Sequence, residues 1–415
     1  MNTRRSTILA GALLPLLSAA AFAATDAELD ARAQALNRKL LNIDAHTDVL
    51  VEGTPERYWA PGHTSRTDVA LLQKGGVDVV ALAIAVGPGP RTPEGVAEAR
   101  QEADLKLATI RAFVKQNSSK VQLALSAADI ERIHKQGKIA VVETFLNARS
   151  IGRDVSQLDA LYRDGVRVFG LTHAGNNDFA DSSRPQKGEG AEHHGLSPLG
   201  KQAIERLNAL GALVDISQLT PDGVFQTLAI TKAPVIATHS DVRSLVDNTR
   251  NLSDAELDAI KANGGVVSAV PFNAYLAKLP ADFNAQLAAV RKLHGLPSEF
   301  PGTAYTDGVE TLSQSQQESF AAAYQALYPK ATLSDYVDHI DYLVKRIGVD
   351  HVGIGSDFNH GSGIPGFNDE GDAPNVTREL LRRGYTEQQI AKIWGGNFLR
   401  VFREAEAVSK KLRAT

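Results

Sequence analysis

Short runs rich in Val, Ile, Leu and Ala recur along the chain, at residues 41–44, 77–85, 139–143, 166–172, 212–217, 234–238, 265–270 and 351–356. They are nearly continuous in apolar residues instead of alternating, as expected of strands buried on both faces. Between them lie stretches whose apolar residues gather on one helical face, such as 93–114, 198–210 and 254–262. Ser197-Pro198 supplies an N-cap followed by Pro at the first helical position, and Ser253 precedes an acidic first turn. Eight strands alternating with helices predict an α/β fold, a single-domain (β/α)8 TIM-type barrel. The longest interval, residues 271–347, is rich in aromatics and Gln. It reads as a helical insertion before the last strand, where a lid or a dimer contact would be at home.

Composition narrows the chemistry. The 415 residues are 43% hydrophobic and 22% charged, ordinary for a globular protein. A net charge of −4 carries no basic footprint for nucleic acid. There is no cysteine, so disulfides, thiolate nucleophiles and sulfur-ligated metals are excluded. Catalysis must run on His, carboxylates, hydroxyls or a metal held by nitrogen and oxygen. At the N-terminus, Arg4 and Arg5 precede the apolar run 8–17, and Ala21-Phe22-Ala23 offers a cleavage site. Residues 1–23 therefore read as a signal peptide, leaving 24–415 as the exported domain, without a membrane anchor and most naturally periplasmic. The adjacent arginines fit either the Sec or the twin-arginine route.

In a barrel of this kind the active site lies at the C-terminal ends of the strands. The first strand ends at Asp44 and runs into His46 and Asp48; the third ends with Glu143, the fourth with His173, the fifth with Gln218, the sixth with His239 and the eighth with Asp357. In His46-x-Asp48 both side chains of an extended segment point the same way, so one imidazole and one carboxylate can grip one divalent ion. Glu143 is placed to bridge two ions and His239 to bind the second. Donors without sulfur suit zinc, with manganese or cobalt as alternatives. His360 follows Asp357 closely enough to reach substrate. Tyr58 and Trp59 stand just past the first strand and either line the pocket or pack. His193 and His194 belong to a Gly-rich loop and read as solvated or as a dimer contact, with a compensating metal role as the alternative. His63, His134, His294, His339 and His351 read as surface or packing residues.

Ordered segments carry a more specific signal: IDAHTD, VVET, VFGLTHAGNNDFADS, GLSPLGKQAIERLNALGALVDIS, ATHSDVRSLVDNTRNLSD, GIGSDF and GGNFLRVF. From about residue 42 to 405 the chain resembles the membrane (renal) dipeptidase family, zinc metallopeptidases of the amidohydrolase-like barrel class. The resemblance implies hydrolysis of dipeptides by metal-activated water. His46 and Asp48 would bind the first ion, Glu143 would bridge, and His239 would bind the second. His173 would face the oxyanion, Arg250 would hold the substrate α-carboxylate, and Asp357 would carry the proton. Tolerance of a D-residue at the second position and a homodimer are also implied. Three features depart from the family pattern. Gln218 stands where the second ion normally has a histidine, Thr144 and Phe145 replace two glycines after Glu143, and Asn359 replaces an acid. The rival readings are a hydrolase or maturation enzyme acting on another amide or a lactone, and a binding protein that has lost catalysis through Gln218.

Overall fold

The structure, a computed structural model, describes residues 25–186, 188–299 and 308–414. The expected signal peptide at 1–23 lies outside the described residues. Nine parallel strands form one sheet: β1 (Ile43–Asp48), β2 (Val79–Ala85), β3 (Val121–Leu123), β4 (Ile139–Leu146), β5 (Val166–Gly170), β6 (Leu213–Asp215), β7 (Ile236–Ala237), β8 (Val266–Ala269) and β9 (Val352–Ile354). The path runs β1-β2-β4-β5-β6-β7-β8-β9, with β3 added beside β4. Eight strands thus make the nearly closed barrel expected from the apolar runs, and β3 is an unexpected ninth. Its three residues are too few to leave a recognisable pattern.

Alternation along each strand separates two apolar layers. Ile43, Ala45, Val79, Ala81, Ala140, Val142, Val168, Leu213, Ile236 and Val266 pack together as one buried cluster, the barrel interior. Val80, Leu82, Ile84, Val141, Phe145, Phe169 and Val214 belong to the larger cluster between barrel and helices. The last step, from β9 back to β1, is made by individual contacts. The Asp357 N–H donates to the His46 carbonyl at 2.7 Å, and the Asp48 N–H to the Phe358 carbonyl at 3.0 Å. Ser356 Oγ donates to Asp44 Oδ2 at 2.7 Å. Asp357 and Asn359 adopt φ of 50° and 64°, left-handed conformations that Asp and Asn tolerate better than most residues. That turn folds the segment after β9 onto β1.

The helical signals hold where they were strong. Ser197 caps Pro198–Leu210 through the Gly200 N–H, and Ser253 with Glu256 forms a reciprocal capping box on Asp254–Asn263. In the insertion, helices Phe283–Leu293 and Gln314–Ala326 share a small apolar cluster of Phe283, Leu287, Leu296 and Phe320. Helix Leu333–Ile347 rejoins the main core through Tyr336, Val337 and Ile340. No described helix is long and apolar enough to cross a membrane.

Candidate active site

Two strands run past their expected ends, and both bear on the site. β1 extends to Asp48, so His46 and Asp48 lie inside the strand instead of after it. A register shift against β2 between Asp44 and Thr47 resets its alternation, so that Asp48 pairs with the inward Ala83. β4 continues three residues beyond Glu143, to Leu146. Since Ala140 and Val142 face the interior while Val141 and Phe145 face outward, alternation turns Glu143 outward as well. Its carboxylate lies 3.5 Å from Arg111 Nε, and a Cβ on Gly165 would meet Glu143 Oε2 at 2.8 Å. Burial raises the Glu143 pKa against the pull of Arg111. The expected bridging ligand is therefore on the wrong side of the barrel wall. The inward place near the mouth is taken by Leu146, packed with Ala83 and Ala85.

The other candidates converge. His46 Nε2 stands 4.0 Å from Asp48 Oδ1 and 3.8 Å from Asp357 Oδ1. All three residues are buried, and His46 Nδ1 and Asp48 Oδ1 have no hydrogen-bond partner. Asp48 Oδ2 takes His360 Nδ1 at 2.6 Å. Burial works to raise the Asp48 pKa, but the His360 charge wins and holds the carboxyl well below the usual range. His360 shows the converse: burial disfavours its charge, yet Asp48 lifts its pKa above the ordinary value. Burial also raises the Asp357 pKa, with His360 opposing. Asn359 donates its amide to the Asp48 carbonyl at 3.0 Å and accepts the Arg66 N–H at 2.9 Å. It positions the Asp48 strand end.

His239 stacks on His46 with ring centroids 3.9 Å apart. Its nitrogens are both engaged. Thr238 Oγ1 donates to Asp215 Oδ2 at 2.6 Å, which leaves a lone pair for the His239 Nδ1–H at 2.7 Å. That assigns the lone pair of His239 to Nε2, where the Gln218 amide donates at 3.0 Å. Burial pushes the His239 pKa well down, so the ring is neutral. Asp215, absent from the sequence reading, is the root of this chain. Its Oδ1 also accepts from the Ser217 and Thr238 N–H groups at 2.9 and 3.1 Å. His46, Asp215 and His239 each offer an atom within 4.8 Å of the others, but the oxygens of Asp215 are already committed.

His173 is anchored by Nδ1 to the Val86 carbonyl at 3.1 Å and meets the His360 ring edge-on at 5.2 Å. Burial and the charges of Arg184 and His360 keep its pKa well below the usual value. A neutral ring donating from Nδ1 presents a lone pair at Nε2, so it accepts hydrogen bonds there and does not donate to an oxyanion, the role expected of it. Arg250 is 2% exposed. Its Nη1 donates to the Ser217 carbonyl and its Nη2 to that of His239 at 2.9 Å, while Nε has no partner. Above these groups opens a cavity of about 1140 Å³, lined by Tyr58, Arg184, Arg250, Phe272, Tyr275 and His360 among others. Tyr58 stacks on His360 at 5.1 Å. Trp59 instead donates to the Thr54 carbonyl at 3.1 Å and stacks on His63. His193 is engaged with the Asn177 carbonyl at 2.8 Å, His351 with that of Gly265 at 2.8 Å, and His339 accepts the Val242 N–H at 3.1 Å.

A family model described as membrane dipeptidase (peptidase family M19) matches residues 30–415. Dipeptidase tcpJ of Claviceps purpurea is 31% identical over 295 residues, 70% of this chain and 57% of its own length. Dipeptidase verJ of Clonostachys rogersoniana is 31% identical over 310 residues, 74% of this chain and 66% of its own length. The chain spans less than two thirds of these curated relatives. The crystal structure of the probable dipeptidase PvdM from Pseudomonas aeruginosa is 38% identical, with a TM-score of 0.83 over 92% of this chain and 100% of that one. A metallopeptidase from Rhodobacter sphaeroides, liganded with a phosphinate mimic of the dipeptide L-Ala-D-Ala, shares the fold at 21% identity, with a TM-score of 0.68 over 88% of this chain and 99% of that one. On the extent of the family match, this chain belongs to the membrane dipeptidase family, peptidase family M19.

Proposed function

We propose that this chain is a metal-dependent dipeptidase that hydrolyses small peptides with a free C-terminal carboxylate, using one divalent ion. The observation that carries the reading is Asp48 Oδ1, a buried carboxylate oxygen without a partner, 4.0 Å from an imidazole that itself stands 3.8 Å from Asp357. Such an oxygen costs about 1–3 kcal/mol unless a cation or donor reaches it. Nitrogen and carboxylate donors here fit zinc, manganese or cobalt, held by His46 and Asp48 with Asp357 adjoining. When bound, the ion supplies Lewis acidity and lowers the pKa of water towards about 7.

The chain's own groups supply the rest. Asp357, buried at the mouth with its pKa raised, accepts the proton of the attacking water and returns it to the leaving amine. Arg250 binds the α-carboxylate, its open Nε completing a donor edge. His173 accepts a hydrogen bond from the substrate's N–H groups. The Gln218 amide nitrogen occupies the lone pair of His239, which favours one ion over two. The same bond supports a second reading, a catalytically silent binding protein. Residues 1–23 serve export to the periplasm in this proposal, and N-terminal sequencing of the mature protein tests it.

The deciding experiment is metal content of the purified mature chain, with hydrolysis of free and C-terminally amidated dipeptides after zinc, manganese or cobalt loading. About one ion per chain and turnover of free dipeptides alone support the proposal. Equal turnover of amidated dipeptides removes the assigned role of Arg250. An ion without turnover under any loading leaves the binding protein.

A further inference from the structure

The chain as a whole is negative, at −4, yet the cavity wall has the opposite sign. Arg57, Arg184, Arg243, Arg250 and Lys278 line it against the single carboxylate of Asp247. Most of these cations have evident occupations. Arg250 is assigned to the α-carboxylate, Arg243 donates to the Asn248 and Thr249 carbonyls, both at 3.2 Å, and Arg57 lies over the Tyr58 ring. Lys278 is exposed.

Arg184 has none. Its backbone is pinned: the N–H donates to Ser182 Oγ at 3.0 Å and the carbonyl accepts the Gly175 N–H at 2.8 Å. The preceding Ser183 N–H donates to the Gln218 carbonyl at 2.9 Å, tying this loop to the segment after β6. The guanidinium forms no ion pair among the described residues, and Nε is buried without an acceptor. It lines the same cavity as the second guanidinium, Arg250, and its charge is felt by His173, His239, His360 and Arg250 alike. Two guanidiniums facing one cavity, Arg250 buried and Arg184 partly so, repel each other, and an anion between or beside them relieves both. The forked donor geometry selects a planar carboxylate.

We infer that Arg184 is a specificity-determining residue that binds a second substrate carboxylate, the side chain of an acidic C-terminal residue whose α-carboxylate Arg250 holds. The substrates are then dipeptides ending in Asp or Glu. This rests on the dipeptidase reading for the orientation of the ligand.

The test separates binding from turnover. Calorimetric titration of the metal-stripped mature protein with Ala-Glu and with the near-isosteric Ala-Gln measures recognition without chemistry. The expected result is a preference for Ala-Glu of about tenfold or more, falling towards one in Arg184→Met and to an intermediate value in Arg184→Lys, which keeps the charge and loses the fork. Equal affinities in the wild type, no binding of either peptide, or equal weakening of both in Arg184→Met overturn the inference; the last result would mean that Arg184 shares the α-carboxylate. If Arg184→Met does not fold, the wild-type preference and its reduction in Arg184→Lys decide. A binding preference without hydrolysis under any metal would sink the dipeptidase proposal and leave the Arg184 assignment standing.

Discussion

Two sides of the barrel mouth treat their polar atoms in opposite ways. Where β1 meets β9, His46 Nδ1 and Asp48 Oδ1 are buried and unpartnered, and three potential ligands face one another. Where β6 meets β7, His239 has both nitrogens engaged, Asp215 accepts at both oxygens, and Gln218 is left with one open atom, Oε1. Burying an unmet hydrogen-bonding group costs about 1–3 kcal/mol, so the first side carries stored demand on the facing ligand atoms themselves, while the second has met that of His239 and Asp215 internally and leaves only Gln218 Oε1 over. A ring of histidines and carboxylates therefore does not imply an equal readiness all round. In the proposed function, the ion count follows from which atoms the protein has already satisfied.

Four measurements break or sharpen this contrast. His46→Ala should abolish retention of the ion after dialysis and reduce dipeptide turnover by roughly 10³-fold or more; metal analysis and kinetics on one preparation check both. Retained ion would move the site to the β6–β7 side. Next in size, Thr238→Val cuts the chain between Asp215 and His239. It should destabilise the fold by about 1–3 kcal/mol, read from denaturant midpoints, and an unchanged midpoint would deny that this side is internally satisfied. Gln218→His should leave the tightly held ion at one per chain, because β4 presents Leu146 and not a carboxylate at the mouth. Two ions retained would show that Gln218 alone blocks the second position. The smallest effect is expected for Glu143→Gln, with ion content and kcat/KM within about twofold and stability within about 1 kcal/mol. Loss of the ion would return Glu143 to the centre.

The barrel was legible because parallel strands covered on both faces leave unbroken apolar runs, and helix caps leave local signatures such as Ser197-Pro198 and Ser253 with Glu256. His46, Asp48, His173, His239 and Asp357 were legible as residues of one rim because they fall at or near the ends of such runs, whereas Arg250 was legible only through the family resemblance of its segment. Glu143 failed by parity. Ending β4 three residues early made an interior position out of an outward one, and a strand reverses its faces at every step. Asp215 and Thr238 left no signal, since their work is done by hydrogen bonds between neighbouring strands. Arg184 sits in an aperiodic loop, where direction is set by contacts such as the Ser182 Oγ cap and not by any spacing in sequence.

The seam between β9 and β1 has a temporal meaning. Asn359 reaches the Asp48 carbonyl across 311 positions of chain, and Asp357 approaches His46 only when that seam is shut. During synthesis the first half of the ligand pair is therefore made long before its counterpart exists, and contacts of such separation form late. An interrupted chain owns His46 and Asp48 but not the mouth that makes them a site. Competence arrives in one step, with closure, and not by degrees.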